Sequence, residues 1–324
     1  MLNNRFPYKF SLNLVSLIIL LSASNVKAQK SQVPNYVDAI NQWHQLREAE
    51  LKSPKGWLNL AGLFWLHNGV NTFGGAKNND CVYENPNPSD AFFPDHLGNF
   101  IFEGDSVMWE SLDKYAVKVN NQNMPFGSKV CVFNAKGLSS EMSWIMSGAT
   151  YSWTIIKRED KIGVRFRNLK SDNLLLFKGI AHFPINEKFK IKAVLQPPVT
   201  SFLMISNVLG QQVASKNAGK LQFTYQSKTY SLDVIDEGGN QLFITFADAT
   251  SGVTTYGAGR FIYIDQPDAN GNTFIDFNQA FNPPCAFTKF ATCPLPLPQN
   301  RLPFPIPAGE KKLWTSLISP LTLN

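Results

Sequence analysis

Histidine is scarce in this chain, and the motifs that carry most metal and nucleophile chemistry are absent. The 324 residues include only four histidines, and no two of them have the spacing that would place two imidazoles on one metal ion. The G-x-S-x-G turn of many serine hydrolases does not occur either. We therefore predict no metal and no cofactor, although a metal held by residues distant in sequence is left open.

The apolar run near the start of the sequence is too short to cross a membrane, and we predict no transmembrane segment in the mature chain. The run Leu12–Leu21 has about ten residues, whereas a spanning helix needs about 20. Arg5 and Lys9 precede this run, and small residues follow it up to Ala28, which is the layout of a secretory signal peptide. We predict that residues 1–28 are cleaved and that the protein is periplasmic or secreted. A retained anchor is the alternative.

Clusters of basic residues are missing from the rest of the chain. Removal of the signal peptide lowers the formal net charge from +6 to +3, and no predicted helix carries a basic stripe, so we predict no nucleic-acid partner. The 44% of hydrophobic and 13% of aromatic residues are ample for a packed core. A mature length of roughly 300 residues suggests one large or two ordinary domains.

Cysteine is as scarce as histidine, with four residues. Four cysteines in an exported protein allow up to two disulfides, and the spacing of Cys285 and Cys293 predicts a local one if the chain between them turns back. Cys81 and Cys131 are then left as a second candidate pair. Two alternatives remain: four buried thiols, or Cys285 as a thiolate nucleophile paired with a histidine.

The local patterns predict a mainly β fold with one early helix. Asn35 is a suitable helix N-cap, apolar residues recur at helical spacing from Val37 to Leu46, and Ser53-Pro54 ends the run. After this helix, short alternating segments separated by Gly, Asn and Asp predict an antiparallel β sandwich. A β meander or barrel-like unit follows, with a hairpin about Ser227-Lys228.

Several motifs together resemble an uncharacterised bacterial family, the domain of unknown function 1684. They are "GWLNLAGLFWL", "NTFG" with a following "NND", "FADATSGVTTYGAGRFIYID" and "DFNQAFNPPCAF" with "TCPLPLPQNRLP". The resemblance runs from about Trp43 to Lys311. It implies neither an activity nor catalytic residues, because none is established for the family.

Residues of about 56 to 150 are also similar to the forkhead-associated β sandwich, through a glycine turn, "NND" before a strand, and "VKVNNQNM". That domain binds phosphothreonine through an arginine just after its first glycine turn, whereas here Gly74 is followed by Gly75 and Ala76. The resemblance implies the fold and argues against phosphopeptide binding. The predicted organisation is a signal peptide at 1–28, a helix at 29–55, a forkhead-associated-like sandwich at 56–170, and a β meander with a proline-rich strap at 171–324.

The strongest functional signal surrounds residues 276–311, which hold 8 of the 20 prolines and are called the proline-rich strap below. We predict an extended, polyproline-like segment laid across the second β unit. Polar residues gather around it, and groups held on stiff backbone make good binding sites. The predicted ligand-binding residues are Tyr256, Arg260, Asp276, Asn278, Asn282, Asn300 and Glu310.

These residues lead to one main function and two alternatives. The main prediction is a protein that binds a small molecule or glycan in a polar pocket between the last β hairpin and the strap. One alternative is a hydrolase that uses this pocket, with His182 or Asp276 as the candidate catalytic group. The other is a structural or interaction module in which the same polar residues form buried networks, with Arg260 paired to Asp276.

Overall fold

The computed structural model describes residues 35–84, 93–112, 115–146 and 148–313, so the predicted signal peptide lies outside the described residues. The first element of the described chain is helix α1 (Tyr36–Lys52). Its predicted N-cap is confirmed, because the Asn35 side chain accepts a hydrogen bond from the backbone N of Asp38 at 2.9 Å. Within the described residues, no helix is long and apolar enough to span a membrane.

The first β unit follows a short 3-10 turn at Trp57–Asn59. Its strands are β1 (Leu60–Trp65), β2 (Gly69–Gly74), β3 (Cys81–Val82), β4 (Gly98–Glu103), β5 (Ser106–Ser111), β6 (Lys118–Val119), β7 (Gln122–Asn123), β8 (Lys129–Asn134), β9 (Glu141–Met146), β10 (Ala149–Arg158) and β11 (Lys161–Asn168). They form a six-stranded sheet in the order β1-β11-β10-β9-β6-β7 and a five-stranded sheet in the order β3-β2-β4-β5-β8. Pairing is antiparallel in both sheets except between β2 and β3.

One aromatic core lies between these two sheets, as the sandwich prediction requires. Trp109 of the five-stranded sheet meets Trp153 of the six-stranded sheet, with ring centroids 5.4 Å apart. Phe73 and Phe166 meet in the same way at 5.3 Å. All four side chains are fully buried. Side chains alternate along a strand. The residues next to Trp153 on β10 and next to Phe166 on β11 therefore point away from this core, to the other side of the six-stranded sheet.

The second β unit is preceded by helix α2 (Asp172–Leu176) and a 3-10 turn at Glu187–Phe189. Its strands are β12 (Lys190–Gln196), β13 (Phe202–Ser206), β14 (Gln212–Tyr225), β15 (Lys228–Ile235), β16 (Gln241–Phe246), β17 (Arg260–Asp265) and β18 (Asn272–Asp276). The hydrogen-bonded order is β17-β16-β15-β14-β12-β18, and β13 pairs with β14. The sheet is nearly closed into a barrel, because the Thr273 hydroxyl on β18 donates to the carbonyl of Asp265 on β17 at 3.0 Å. The meander and barrel-like predictions are confirmed.

The hairpin between β14 and β15 turns one residue earlier than predicted. Its turn is made by Gln226 and Ser227, both with positive φ angles of 48° and 61°, while Lys228 already belongs to β15. A two-residue turn with two left-handed residues matches the right-handed twist of the strands. The sequence signal at Ser227-Lys228 located the hairpin but not its register.

The proline-rich strap contributes side chains to two hydrophobic clusters. Residues 302–308 complete the barrel interior, where Leu302, Ile306 and Ala308 pack with the inward side chains of β15, β16 and β17. Residues 281–293 pack on the outer face of the barrel, where Phe281 joins Phe243 and Phe261. The strap contains three short 3-10 turns, Phe277–Gln279, Pro284–Ala286 and Pro298–Asn300. It is therefore extended backbone interrupted by turns, and not one continuous polyproline helix.

Candidate functional site

Arg260, one of the predicted ligand residues, is fully buried and contacts protein atoms. Its Nη2 forms an ion pair with Asp248 at 2.7 Å and donates to the carbonyl of Ile306 at 3.0 Å. Its Nη1 donates to the carbonyl of Ala308 at 2.5 Å. The predicted pairing with Asp276 is wrong, because Asp248 follows β16, the hydrogen-bonded neighbour of β17, and holds the guanidinium from there.

Asp276 and Asn278 do lie together, but for a reason other than strand alternation. The strand ends at Asp276, and a 3-10 turn at Phe277–Gln279 brings the Asn278 Nδ2 to 3.0 Å from the Asp276 carboxylate. Tyr36, at the start of α1, donates its hydroxyl to the same carboxylate at 2.9 Å. Burial and then this hydrogen bond raise the pKa of Tyr36. The cluster joins α1 to the barrel.

Asn282 and Glu310 belong to a second network, which is completed by Arg47 of α1. The Glu310 carboxylate accepts the backbone N–H of Asn282 at 2.6 Å and lies 3.5 Å from the Arg47 Nε. Arg47 also donates to the Asn282 carbonyl at 3.2 Å. Complete burial raises the pKa of Glu310 to about 7, although Arg47 and the Asn282 N–H act in the opposite direction. The network fixes the helix to both ends of the strap.

Asn300 and Tyr256 lie apart from these two networks. Asn300 accepts from the backbone N of Asp233 at 2.7 Å and donates to the carbonyls of Asp233 and Thr245 at 3.0 and 2.9 Å. The Tyr256 hydroxyl donates to the Cys285 carbonyl at 3.3 Å. The seven predicted residues, five of them buried, thus take part in several separate contacts, and the structure does not bring them into one cavity.

His182, the predicted catalytic candidate, stacks on His44 of α1, with ring centroids 3.7 Å apart and an interplanar angle of 19°. The His44 Nε2 lies 3.1 Å from the Asn278 carbonyl. Burial, followed by the neighbouring His44, lowers the pKa of His182 to about 4. A general base at neutral pH works best with a pKa near 7, so this environment suits a neutral packing group better.

The four cysteines are free thiols, and the predicted disulfide between Cys285 and Cys293 is not formed in the structure. The two residues are nevertheless neighbours, since the backbone N of Cys285 donates to the Cys293 Sγ at 3.1 Å. The Cys285 Sγ donates to the carbonyl of Ala291 at 3.5 Å. Both sulfur atoms thus take part in hydrogen bonds as thiols. Cys81 and Cys131 are also unpaired.

A cavity of about 600 Å³ lies beside the strap, and we call it the aromatic cavity. One wall comes from α1 and the turn after it. Trp43, Arg47 and Glu50 follow at helical spacing and line the same side, and Trp57 of the first 3-10 turn continues this wall. With Leu46, the helix therefore presents one aromatic, one aliphatic and two charged side chains to the cavity.

The opposite wall is the outer face of the barrel with the first part of the strap. Phe243 of β16, and Phe261 and Tyr263 of β17, all line the cavity. Phe243 and Phe261 meet edge to face at 4.9 Å, and Tyr263 stacks on Phe281 of the strap at 6.0 Å with an interplanar angle of 13°. Pro294 continues the strap side of this wall.

The end of the first β unit supplies two further charges. Arg158 at the end of β10 and Arg165 on β11 line the cavity, and the Arg165 guanidinium lies 4.9 Å from the Trp57 ring centroid. Burial, and then repulsion from Arg158 and Arg167, lowers the pKa of Arg165 to about 10. The cavity thus combines aromatic walls with a few charged groups, which is the usual composition of a small-molecule site.

None of the seven predicted ligand residues lines this cavity. The position that we predicted, between the last hairpin and the strap, does contain one wall of it. The missed residues carried recognisable signals: strand alternation in "KIGVRFRN" separates Arg165 from the core residues Val164 and Phe166. The sequence could not show that this outer face lies near α1 and the barrel.

A second concavity, of about 980 Å³, lies along β12, β14 and β18. Three exposed lysines line it, Lys188, Lys190 and Lys192. Its walls come from the barrel sheet and the turn before β12, whereas the walls of the aromatic cavity converge from α1, both β units and the strap. Sites on convergent, packed elements hold their groups more rigidly, so the aromatic cavity is the better candidate.

Comparison with known proteins finds a family match over part of the chain and similarity to solved structures. Residues 176–311, which contain the barrel and the whole strap, match the family described as "Protein of unknown function (DUF1684)". The motifs upstream of residue 176 that carried the resemblance lie outside this match. A solution NMR structure of an uncharacterized protein of Haloarcula marismortui is 25% identical, with 42% of this chain and 77% of that chain covered and a TM-score of 0.36. No curated protein matches the chain.

Proposed function

The chain carries a DUF1684 domain over residues 176–311, and on that premise we propose an exported binding protein that holds a ring-shaped small molecule of glycan type in the aromatic cavity. The observation that carries the proposal is the convergence of aromatic side chains from α1, the barrel and the strap on a cavity of about 600 Å³. Export rests on the predicted signal peptide alone.

The size and composition of the cavity support this proposal. Small-molecule sites typically measure about 300–1,000 Å³ and combine apolar walls with a few polar groups. Flat rings on the two walls offer stacking surfaces for a sugar or an aryl ring, while Arg47, Glu50 and Glu237 supply hydrogen-bonding groups at its edges. The ligand would thus be held by ring stacking and oriented by the charged groups.

The walls are supported by contacts within the protein. Arg47 is 8% exposed, and its guanidinium lies 4.7 Å from the Phe281 ring centroid, so the helix and the strap are packed together behind the cavity. The ion pair of Arg260 and Asp248 ties the strap to the barrel. Preformed walls lower the entropy cost of binding. We propose this supporting role for the polar residues first predicted to be ligands.

Isothermal titration with para-nitrophenyl β-glucoside tests the proposal, because this neutral probe carries both a sugar ring and an aryl ring. The wild type is expected to bind it. Trp43→Ala and Tyr263→Ala should each weaken binding by about tenfold, since each removes one stacking surface. Phe202→Ala is the matched control, because Phe202 is a 60% exposed barrel aromatic outside the cavity. It should leave the affinity unchanged.

Two results would count against the proposal. Absence of binding to the wild type would remove its basis, and equal affinities of the wild type and both cavity variants would place the probe elsewhere. The same probe reports on the hydrolase alternative, because hydrolysis of its glycosidic bond releases coloured nitrophenolate. Steady release that is lost in Glu50→Gln or Glu237→Gln would replace the binding function by catalysis.

A further inference from the structure

The charges of the aromatic cavity are not balanced by the protein. Glu50 and Glu237 line one side, and each has a partner: the Arg47 Nη1 lies 3.6 Å from the Glu50 carboxylate, and the Tyr263 hydroxyl donates to Glu237 at 3.0 Å. The positive side differs, because neither Arg158 nor Arg165 has a carboxylate within 4.0 Å among the residues that the structure describes. The Tyr263 hydroxyl is neutral, so the Glu237 carboxylate also lacks a cationic partner. Two unpaired arginines against one unpaired carboxylate leave a net positive charge in the cavity.

Arg165 is the clearer example of an arginine without an anionic partner. Its guanidinium is partly buried against the Trp57 ring, and its Nε is buried without a hydrogen-bond partner. Arg158 lies on the neighbouring strand, four residues from the Thr154 that pairs with Arg165, and lines the same cavity. Its charge lowers the pKa of Arg165 further. Its Nη1 donates to the carbonyl of the preceding Lys157 at 3.0 Å, and its side chain has no other hydrogen bond within the part of the chain that the structure describes. Two positive charges close together in a partly buried site repel each other, and a bound anion would relieve this repulsion.

Arg167 provides an internal comparison. It lies two residues along β11, on the same face of the sheet, and its Nε is also buried without a partner. Its Nη2, however, donates to the carbonyl of Lys55 at 3.4 Å, and the residue does not line the cavity. The feature that distinguishes Arg165 is thus its place in the cavity wall beside Arg158 and Trp57.

We propose that Arg158 and Arg165 form an anion subsite of the aromatic cavity, and that the ligand is a ring compound carrying one carboxylate, sulfate or sulfonate group. This inference rests on the proposed binding function and specifies its ligand class. The ring stacks between the aromatic walls, while the anionic group accepts hydrogen bonds from the two guanidinium groups. Arginine suits this task because its planar donors match the two oxygens of such a group.

Two natural sources fit this chemistry, an acidic sugar and an aryl acid. Each is represented by a pair of probes that differ in the anionic group. The sugar pair is para-nitrophenyl β-glucuronide and para-nitrophenyl β-glucoside. The aryl pair is anilinonaphthalene sulfonate and N-phenylnaphthylamine. The affinity ratio within a pair isolates the contribution of the anion, because the rings are shared.

The experiment measures both ratios for the wild type, Arg165→Gln and Arg167→Gln. The wild type is expected to prefer the anionic member of at least one pair by about tenfold or more. Arg165→Gln should bring the affinity ratio within the pair close to one, whereas Arg167→Gln, outside the cavity wall, should retain the wild-type ratio. Added salt should reduce the preference in the wild type, because partly exposed charges are screened. Circular dichroism verifies that both variants are folded.

The outcomes separate this inference from the function on which it rests. Binding of neutral and anionic members with equal affinity overturns the anion subsite and leaves the binding function standing. A preference that survives in Arg165→Gln also overturns the subsite. Failure of all four probes to bind overturns the binding function itself. A preference confined to one pair supports the subsite and identifies the source of the ligand as sugar or aryl acid.

Discussion

The charged guanidinium of Arg260 is fully buried, and three protein groups form hydrogen bonds with it. Asp248 supplies the opposite charge, and the carbonyls of Ile306 and Ala308 accept further hydrogen bonds. Removing one partner of such a pair leaves the other buried and uncompensated, which is far more costly than losing an exposed pair. The residue is thus part of the scaffold that holds the strap on the barrel.

Arg260→Met is therefore expected to lower the free energy of unfolding by about 3–5 kcal/mol, as measured by urea denaturation. Arg301→Met is the control, since Arg301 is an exposed arginine of the same strap and its loss should change stability by less than about 0.5 kcal/mol. A loss below about 1 kcal/mol for Arg260→Met would show that the pair does not support the fold.

The stacked histidines give the protein a pH-dependent stability. The pKa of His182 in the folded chain is about 4, below the value of about 6.5 in an unfolded chain. Between these values the unfolded chain binds more protons, so stability falls as the pH decreases through this window. The full shift corresponds to about 3 kcal/mol, and solvent screening of the partly exposed ring reduces its effect to about 1–2 kcal/mol.

His182→Gln should reduce the difference between the free energy of unfolding at about pH 7 and that at about pH 4.5, because the residue that takes up the proton is removed. Glu310, whose pKa is raised to about 7, acts in the opposite direction and is present in both proteins. His67→Gln is the control, because His67 is fully exposed and its pKa is raised by the Asn68 carbonyl and by Asp80. An unchanged pH slope in His182→Gln would contradict this role.

For single residues, the sequence did not predict the contact partners. The polar residues of the strap region were recognised from the sequence, but their partners were not. Asp276 is held by Tyr36, 240 positions away, and Asn282 by Arg47, 235 positions away. Partners so distant in sequence depend on the packing of whole elements, and a local pattern contains no information on that packing.

At the scale of elements, the strap is fixed by specific turns rather than by its prolines alone. The turn Pro298–Asn300 places the Asn300 side chain between β15 and β16, where it makes three hydrogen bonds to backbone groups. These groups have no access to water, because Asn300 is 1% exposed. The turn therefore fastens the strap where it completes the barrel interior.

Asn300→Ala should lower the free energy of unfolding by about 2–4 kcal/mol, because it leaves buried backbone groups without partners. Gln299→Ala is the control from the same turn, since Gln299 is exposed, and a loss of less than about 1 kcal/mol is expected. Equal losses in the two variants, measured by urea denaturation, would mean that the turn is not fastened by the Asn300 side chain.

The elements themselves were predictable where local physics determines them. Helix α1 was recognised because its cap and its stop signal are both encoded within a few residues, at Asn35 and Ser53. The meander was recognised because its strands alternate and its turns are short. The disulfide prediction failed to match the structure because spacing alone does not show whether the Cys285 and Cys293 sulfur atoms meet at bonding distance.

At the scale of the whole molecule, the two β units have separate cores but share one cavity. The aromatic cluster of residues 66–166 fills the sandwich, and a second cluster fills the barrel. Trp43, Trp57 and Phe281 belong to the layer outside the barrel. The cavity exists only because α1 and the strap hold the outer faces of both units near each other. Its position could not be predicted from either unit alone.

Fluorine NMR of protein labelled with fluorotryptophan tests the central claim most directly, namely that the aromatic cavity binds the ligand. Trp43 and Trp57 line the cavity, whereas Trp109 and Trp153 are buried in the sandwich core and serve as internal references. Each resonance is assigned from its Trp→Phe variant. Titration with para-nitrophenyl β-glucuronide is predicted to shift the Trp43 and Trp57 resonances while those of Trp109 and Trp153 stay in place. Unchanged Trp43 and Trp57 resonances, at concentrations where calorimetry shows binding, would contradict the account.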